Sequence, residues 1–306
     1  MSDTTVFSDS FFAMGTRCDV VFTSVKQEFA EQMFQLVKNE ISQIEYRLSR
    51  FITTSPVSEL NSTNKNIWLP VPDDIWDILT ICYDFYQISN GAFDITVTPL
   101  VKLWKESESP TGKELANAKQ ISGFDKVEFD FDNQKLMFLE NGVEFDLGAI
   151  GKGVALDTIK PVLQNQGVKS GIVSFGENSI LALGLHPNKE EWPLGIRNIT
   201  NPEEFAHVFS ASNQVVTTSG SVASTDDGTS IKRRHIISPA TGLPIENKKA
   251  VSVKSDSATL GEFLSTTFLI LPENDKKILS DKFKKVEILE VEYIEGKDYK
   301  TKLTIL

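Results

Sequence analysis

Cysteine is almost absent from this sequence: Cys18 and Cys82 are the only two in 306 residues. One disulfide at most could form, so a disulfide framework is excluded. Their separation fits no zinc pattern, and buried free thiols are the simplest reading. Positive charge is also in short supply, with 31 Lys and Arg against 42 Asp and Glu and a net charge of −11. That balance argues against a nucleic-acid partner, which needs a basic footprint to displace counterions. Long apolar runs are missing too, and the opening MSDTTVFSDSFF has no basic start. No signal peptide or membrane span is visible. Cytoplasmic residence is the expectation for the chain as it stands, with export or lipid anchoring the alternative if the native N-terminus was trimmed. Repeats, low-complexity segments and Pro/Gly/Ser-rich linkers are absent, so one compact body is expected, with two interleaved lobes at most.

Apolar material is ample. Hydrophobic residues make up 40% of the chain and include 20 Phe and 4 Trp, enough for a substantial core and contrary to intrinsic disorder. Phe29, Met33, Leu36, Val37, Ile41, Ile44 and Leu48 recur at steps of three and four, which predicts a helix over 29–48. A second helix is predicted over 74–89, started by Pro72 and Asp73 and stopped by Asn90-Gly91. Residues 127–145 alternate and turn at Asp132-Asn133 and Asn141-Gly142, a hairpin-rich pattern. A third helix follows Gly151 and ends before Gly167, with Pro161 expected to kink or interrupt it. Strands are predicted at 18–22, 171–175, 180–185, 193–199, 206–210, 214–218, 250–254 and 286–293, and a fourth helix over 257–271. Helices and strands intersperse without a strict βαβ rhythm, so the fold class is α+β.

Four segments concentrate chemistry. DLGAIGKG (146–153) places three glycines and Lys152 before a helix. It offers either a backbone cradle for an anion or a plain tight turn, and it is neither a Walker A motif nor a GxGxxG fingerprint. TTSGS (217–221), followed by Lys232, Arg233, Arg234 and His235, reads equally as an anion contact and as a solvated basic loop. Glu262 and Thr266, four apart, share a helix face. Their oxygens suit Mg²⁺ or Ca²⁺, although an exposed helix face or a buried hydrogen bond explains them as well. In GAFDITVTPLVKLW (91–104) an aromatic beside a carboxylate could stack on a planar ring, or could be a helix end entering the core.

Taken with MGT (14–16), LSRF (48–51), SELN (58–61), RHIISPATG (234–242) and ATLGEFLSTTF (258–268), these segments stand in a specific order. Over about residues 11–272 the chain resembles the ApbE family, the FAD:protein FMN transferases formerly described as thiamine-biosynthesis lipoproteins. Residues 273–306 then read as C-terminal strands completing the same body. The resemblance implies mixed or antiparallel sheets with packed helices and an FAD site between two interleaved lobes. It further implies transfer of FMN from FAD to a Ser or Thr hydroxyl of an acceptor flavoprotein, through a phosphoester and with release of AMP. On the matching positions, Met14, Phe51, Ala92, Phe93, Asp94, Lys152, Asp157 and Ile237 border FAD. Ala149 (by its carbonyl), Glu262, Ser265 and Thr266 hold Mg²⁺, with Ca²⁺ an alternative. His235, with an intrinsic pKa near ~6.5, suits the role of base toward the acceptor hydroxyl.

The sequence departs from the family pattern at four places: Phe51 where Tyr is common, Glu262 where Asp is usual, Ser238 in place of an acid before Pro, and Gly176-Glu177 in place of a glycine pair. Mg²⁺ tolerates geometric error poorly, so the longer arm of Glu262 implies an ion held more weakly or differently. Two other activities stay open beside transfer: a non-catalytic FAD carrier, and metal-dependent hydrolysis of FAD to FMN and AMP.

Overall fold

The alternation read from the sequence becomes a sheet with two unlike faces. The computed structural model describes residues 5–201, 203–224, 230–232, 236–294 and 299–306. A hairpin of β1 (Val6–Ala13) and β2 (Thr16–Thr23) precedes α1 (Gln27–Leu48), α2 (Pro56–Asn61), β3 (Leu69–Pro70) and α3 (Asp73–Ile88). Next come α4 (Thr98–Glu106), α5 (Gly112–Gln120), β4 (Val127–Asp130), β5 (Lys135–Phe138) and α6 (Gly151–Asn165). Strands β6 (Ser170–Phe175), β7 (Ser179–Gly184), β8 (Trp192–Arg197), β9 (Phe205–Ala211), β10 (Gln214–Gly220), β11 (Val222–Ser224), β12 (Ser230–Lys232) and β13 (Lys249–Ser255) follow. Helices α7 (Ala258–Ile270) and α8 (Glu273–Ser280) lead to β14 (Glu287–Tyr293) and β15 (Tyr299–Ile305).

Eight strands form the main sheet in the order β1-β2-β6-β7-β10-β13-β14-β15, and every pairing in it is antiparallel. Period-two alternation divides its side chains. Val215 faces a cluster with α1 and α6, whereas its neighbour Val216 faces Trp192, Leu194 and Phe209 of the β8–β9 hairpin. Helices thus cover one face and a two-stranded hairpin covers the other. A third layer, α3 with the small sheet β3-β5-β4, packs on the far side of α7. Phe85 of α3 stacks on Phe263 of α7 at 4.0 Å and 6°. Buried between layers, α7 is apolar on almost every side, as expected of a helix without a solvent face.

Two local expectations change. Only the first of the predicted turns, near Asp132, makes a hairpin; residues 143–145 are not a strand. Asn61 takes the place of a neighbouring strand, since its side-chain amide accepts from Phe145 N at 2.8 Å and donates to Phe145 O at 2.9 Å. Pro161 leaves α6 unbroken, because it lies on the exposed face where solvent can satisfy the carbonyl it leaves free. Among the described residues no helix is long and apolar enough to cross a membrane.

The last helix is fastened to the sheet by charge. Lys276 is only 5% exposed. It pairs with the buried carboxylate of Glu290 on β14 and lies 2.9 Å from Glu273. Lys302 on β15 reaches Glu273 at 2.8 Å and stands 3.4 Å from Glu290 Oε1. Hydrogen bonds from the two lysines hold the Glu273 carboxyl down at about 2. A depressed carboxyl stabilises the fold above its unfolded value near 4.5 and loses that contribution as pH falls toward 2. Because Glu273 is largely exposed, that contribution stays below ~1 kcal/mol. The buried pair behaves otherwise: Lys276→Met should cost about 3 kcal/mol in urea unfolding at pH 7, since it strands Glu290 without its closest partner. A loss under about 1 kcal/mol would show the pair to be incidental.

Candidate functional site

A cavity of about 810 Å³ opens between the β8–β9 hairpin, the sheet and the N-terminal ends of α4 and α6. That size falls within the ~300–1,000 Å³ typical of small-molecule sites. Its wall gathers segments far apart in sequence: 92–105, 146–152, 172–180, 193–205, 218–222, 236–239, 262–270 and Tyr293. Tyr293 lies beyond residue 272, so the C-terminal strands contribute to the wall.

The polar part is built around α6 and α7. The glycines of DLGAIGKG divide their work. Gly148 and Ala149 line the cavity, whereas a Cβ at Gly153 would lie 2.8 Å from backbone atoms of Ala258 and Thr259. Gly153 is therefore the contact that lets α6 and α7 touch. The first turn of α6 has no side-chain cap, so its N–H groups and the Lys152 ammonium offer an anion a ready partner. Glu262, 5% exposed, accepts a hydrogen bond from Ser179 Oγ at 2.5 Å. Burial raises its pKa, against the opposing pull of Lys152 and the Ser179 hydroxyl. Ser219 Oγ lies 2.9 Å from Ser265 Oγ and 3.0 Å from Thr266 Oγ1. Thr217 Oγ1, which packs where a Cβ on Gly261 would lie, is buried without a partner. This set of one carboxylate, hydroxyls and nearby carbonyls is hard-oxygen chemistry and fits Mg²⁺ or Ca²⁺. Among the described residues no cluster of three His, Cys, Asp or Glu exists, consistent with a donor set poor in charge.

The opposite wall is set by Asp94 and the SPATG turn. Asp94 Oδ1 accepts from Thr96 N at 2.8 Å and from Thr96 Oγ1 at 2.6 Å. Burial raises its pKa, and the Thr96 bonds counter the rise. Thr96 Oγ1 in turn accepts from Gly123 N at 2.6 Å, which fixes the carboxylate. Trp104 Nε1 donates to Gly242 O at 2.8 Å and Lys119 Nζ to Ala240 O at 2.7 Å. These bonds clamp the turn that follows Ile237, itself bridged to Pro244.

Of the residues singled out from sequence, Ala92, Phe93, Asp94, Lys152, Ile237, Ala149, Glu262 and Thr266 all border this cavity. The ring of Phe93 is nevertheless committed to the core, edge-on to Phe85 and Phe263. Four others stand outside the wall. Met14, at φ 52 in the β1–β2 turn, is tied by its N–H to Glu45 and rests beside Gly151. Phe51 is 76% exposed, because Ser49 Oγ binds the N–H groups of residues 51 and 52 and turns the segment outward. Its neighbour Arg50 reaches inward instead, pairing with Asp146 at 2.8 Å. Ser265 is fully buried, its hydroxyl beside that of Ser219. Asp157 caps α7: its carboxylate accepts from Ala258 N, Thr259 N and Ser257 Oγ at 2.7, 2.9 and 2.8 Å. Arg233, Arg234 and His235 lie outside the described residues.

Sequence reasoning missed the contribution of β8–β9 and of Ser179. A lone Ser after a turn carries no pattern, Gly195 and Arg197 read only as strand residues, and Phe205 falls just before the strand predicted at 206–210. Ser219 was within reach, since TTSGS had been singled out.

A model of the ApbE family matches residues 14–289, and the chain belongs to that family. An FAD:protein FMN transferase of Klebsiella pneumoniae is 25% identical over 272 residues, covering 87% of this chain and 83% of its own. One from Haemophilus influenzae is 25% identical over 298 residues, covering 92% and 85%. The flavin transferase ApbE of Vibrio cholerae superposes with a TM-score of 0.83 at 21% identity, covering 98% of this chain and 97% of that one.

Two measurements probe this site. Asp157→Ala should lower stability by about 2 kcal/mol in urea, the cost of an N-cap that makes charged hydrogen bonds, while leaving ligand affinity of the folded protein unchanged. A pure loss of affinity would return Asp157 to the ligand. Because burial raises the Glu262 pKa, the native state holds its proton more tightly than the unfolded chain, and stability falls as pH rises above about 4.5. Glu262→Gln should therefore melt higher than the wild type at pH 7 in metal-free buffer, with the gap closing below pH 4.5. Added Mg²⁺ should raise the melting temperature of the wild type only; equal shifts in both proteins would remove Glu262 from any metal site.

Proposed function

We propose that this chain is an FAD:protein FMN transferase. The observation that carries the reading is the convergence, in one cavity of a family member, of the uncapped α6 N-terminus, Lys152, Glu262 and Thr266. That grouping suits a diphosphate. The anion would lie on the α6 amides and Lys152, with Ala92, Asp94 and Ile237 bordering the rest of FAD. The Ala149 and Ser265 carbonyls, the Glu262 carboxylate and the Thr266 hydroxyl would hold Mg²⁺. When bound, the ion supplies neutralisation of diphosphate charge and stabilisation of the leaving phosphate.

The hydroxyl oxygen of an acceptor Ser or Thr attacks the phosphorus on the FMN side. A P–O bond forms to the acceptor, the bond to the bridging oxygen breaks, and AMP departs with that oxygen. The hydroxyl proton passes to His235, a role that rests on the family resemblance alone. Lys152 and the α6 amides hold the phosphate oxygens in place, so positioning and electrostatics supply much of the catalysis.

The test is incubation with FAD, Mg²⁺ and a flavoprotein bearing a Ser or Thr flavinylation site, followed by mass spectrometry. The expected result is a covalent FMN adduct on the acceptor together with AMP, reduced at least ~100-fold in His235→Ala, as loss of a general base predicts. Free FMN and AMP without an adduct would identify a hydrolase; bound, unchanged FAD would identify a carrier.

A further inference from the structure

We propose that Phe205 is a specificity-determining residue whose free ring face stacks on a planar heteroaromatic ring of the substrate at the rim of the cavity. The inference rests on the transferase reading, because it takes FAD as the ligand. Three observations converge on it. First, Gly195 of β8 lies under the ring: a Cβ at that position would be 2.5 Å from Phe205 Cδ1 and Cε1. The ring therefore lies against bare backbone, an approach that only glycine permits. Second, the β8–β9 ladder slips between Ile196 and Arg197, so that Arg197 pairs with Phe205 after Ile196 has paired with His207. An irregularity of this kind re-aims side chains and is common beside functional sites. Third, Phe205 is 59% exposed and, with Gly195, Arg197 and Ile199, forms part of the cavity wall.

A phenyl ring seated on one face and open on the other is an aromatic platform. Aromatic rings prefer offset stacking or edge contacts with other π systems. The neighbouring charge is fixed as well. Arg197 is forked onto Glu177, Nε to Oε2 at 2.9 Å and Nη2 to Oε1 at 3.3 Å. Glu177 holds that geometry from a left-handed backbone, φ 63. Both ends of FAD, adenine and isoalloxazine, carry a planar ring of the required kind.

The experiment compares FAD dissociation constants and steady-state kinetics for the wild type, Phe205→Ala, Phe205→Leu, Phe205→Tyr and Gly195→Ala. Far-UV circular dichroism and melting temperature verify the fold of each. Phe205→Ala and Phe205→Leu should weaken FAD binding roughly 10-fold or more, in line with base–aromatic stacking, and Phe205→Tyr should stay within about 3-fold. Gly195→Ala, whose added methyl meets the Phe205 ring and displaces it, should follow Phe205→Ala. The loss should sit in KM, with kcat at saturating FAD changed less than about 3-fold, because stacking holds ground and transition states alike. ADP-ribose and FMN as competitors identify the ring: the one weakened by Phe205→Ala carries it. If the wild type binds FAD and Phe205→Ala or Phe205→Leu binds it equally well, the stacking assignment falls and the transferase reading stands. If the wild type binds no FAD, both fall.

Discussion

Everything at the site hangs on the burial of α7. This helix has layers on both sides, so its neighbours must approach closely and in register, and two glycines permit it. Gly153 lets α6 touch its first turn, and Gly261 leaves room for Thr217 of the sheet. Side chains at either place would meet backbone or a β-strand, and the layers would part. A helix so enclosed cannot draw on water for its exposed N–H groups, which is why Asp157 and Ser257 supply them. The same enclosure puts Glu262 where ionisation is costly without a cation at hand. Packing, capping and charge are thus one arrangement.

The net charge of −11 is a poor guide to the kind of ligand the cavity suits. Several acids are spent within the fold: Asp157 on a helix end, Asp146 on Arg50, Glu290 and Glu273 on lysines. At the cavity, Lys152 and the uncapped α6 amides face two buried carboxylates, Glu262 and Asp94, and burial of each favours its uncharged form. A protein that is acidic on average can therefore present an anion with a favourable local field.

The regular elements were legible because period carries them. The helices at 29–48 and 257–271 and six of the eight strands of the main sheet, β2, β6, β7, β10, β13 and β14, follow from apolar spacing alone. Short helices such as α2 and α5, and strand β1 with its polar SDS, have too little period to be read. At the site, the residues bound to strong local signals were legible: glycine turns, Lys152, the Glu262–Thr266 step. Asp157 stands beside FAD by the family resemblance alone, yet its carboxylate points to a helix end that only tertiary contact brings near. Phe51 rests on the same resemblance, whereas a hydroxyl cap at Ser49 turns its ring outward and Arg50 reaches inward. Phe205 and Gly195 were invisible because their relation exists only across a strand pair.

The order of the main sheet also bears on how the molecule comes to exist. Hairpins β1–β2, β6–β7 and β14–β15 join neighbours in sequence, but β2 pairs with β6, Phe22 opposite Gly171, with α1 through α6 between them. Closing a loop of that length costs chain entropy before any ladder bond repays it. The first hairpin can pack its apolar face on α1, but the hydrogen-bonding edge of β2 must wait unpaired until β6 has been made. Until then, the β2 edge that will pair Cys18 with Phe175 is an open strand edge, the kind of surface on which wrong pairing starts.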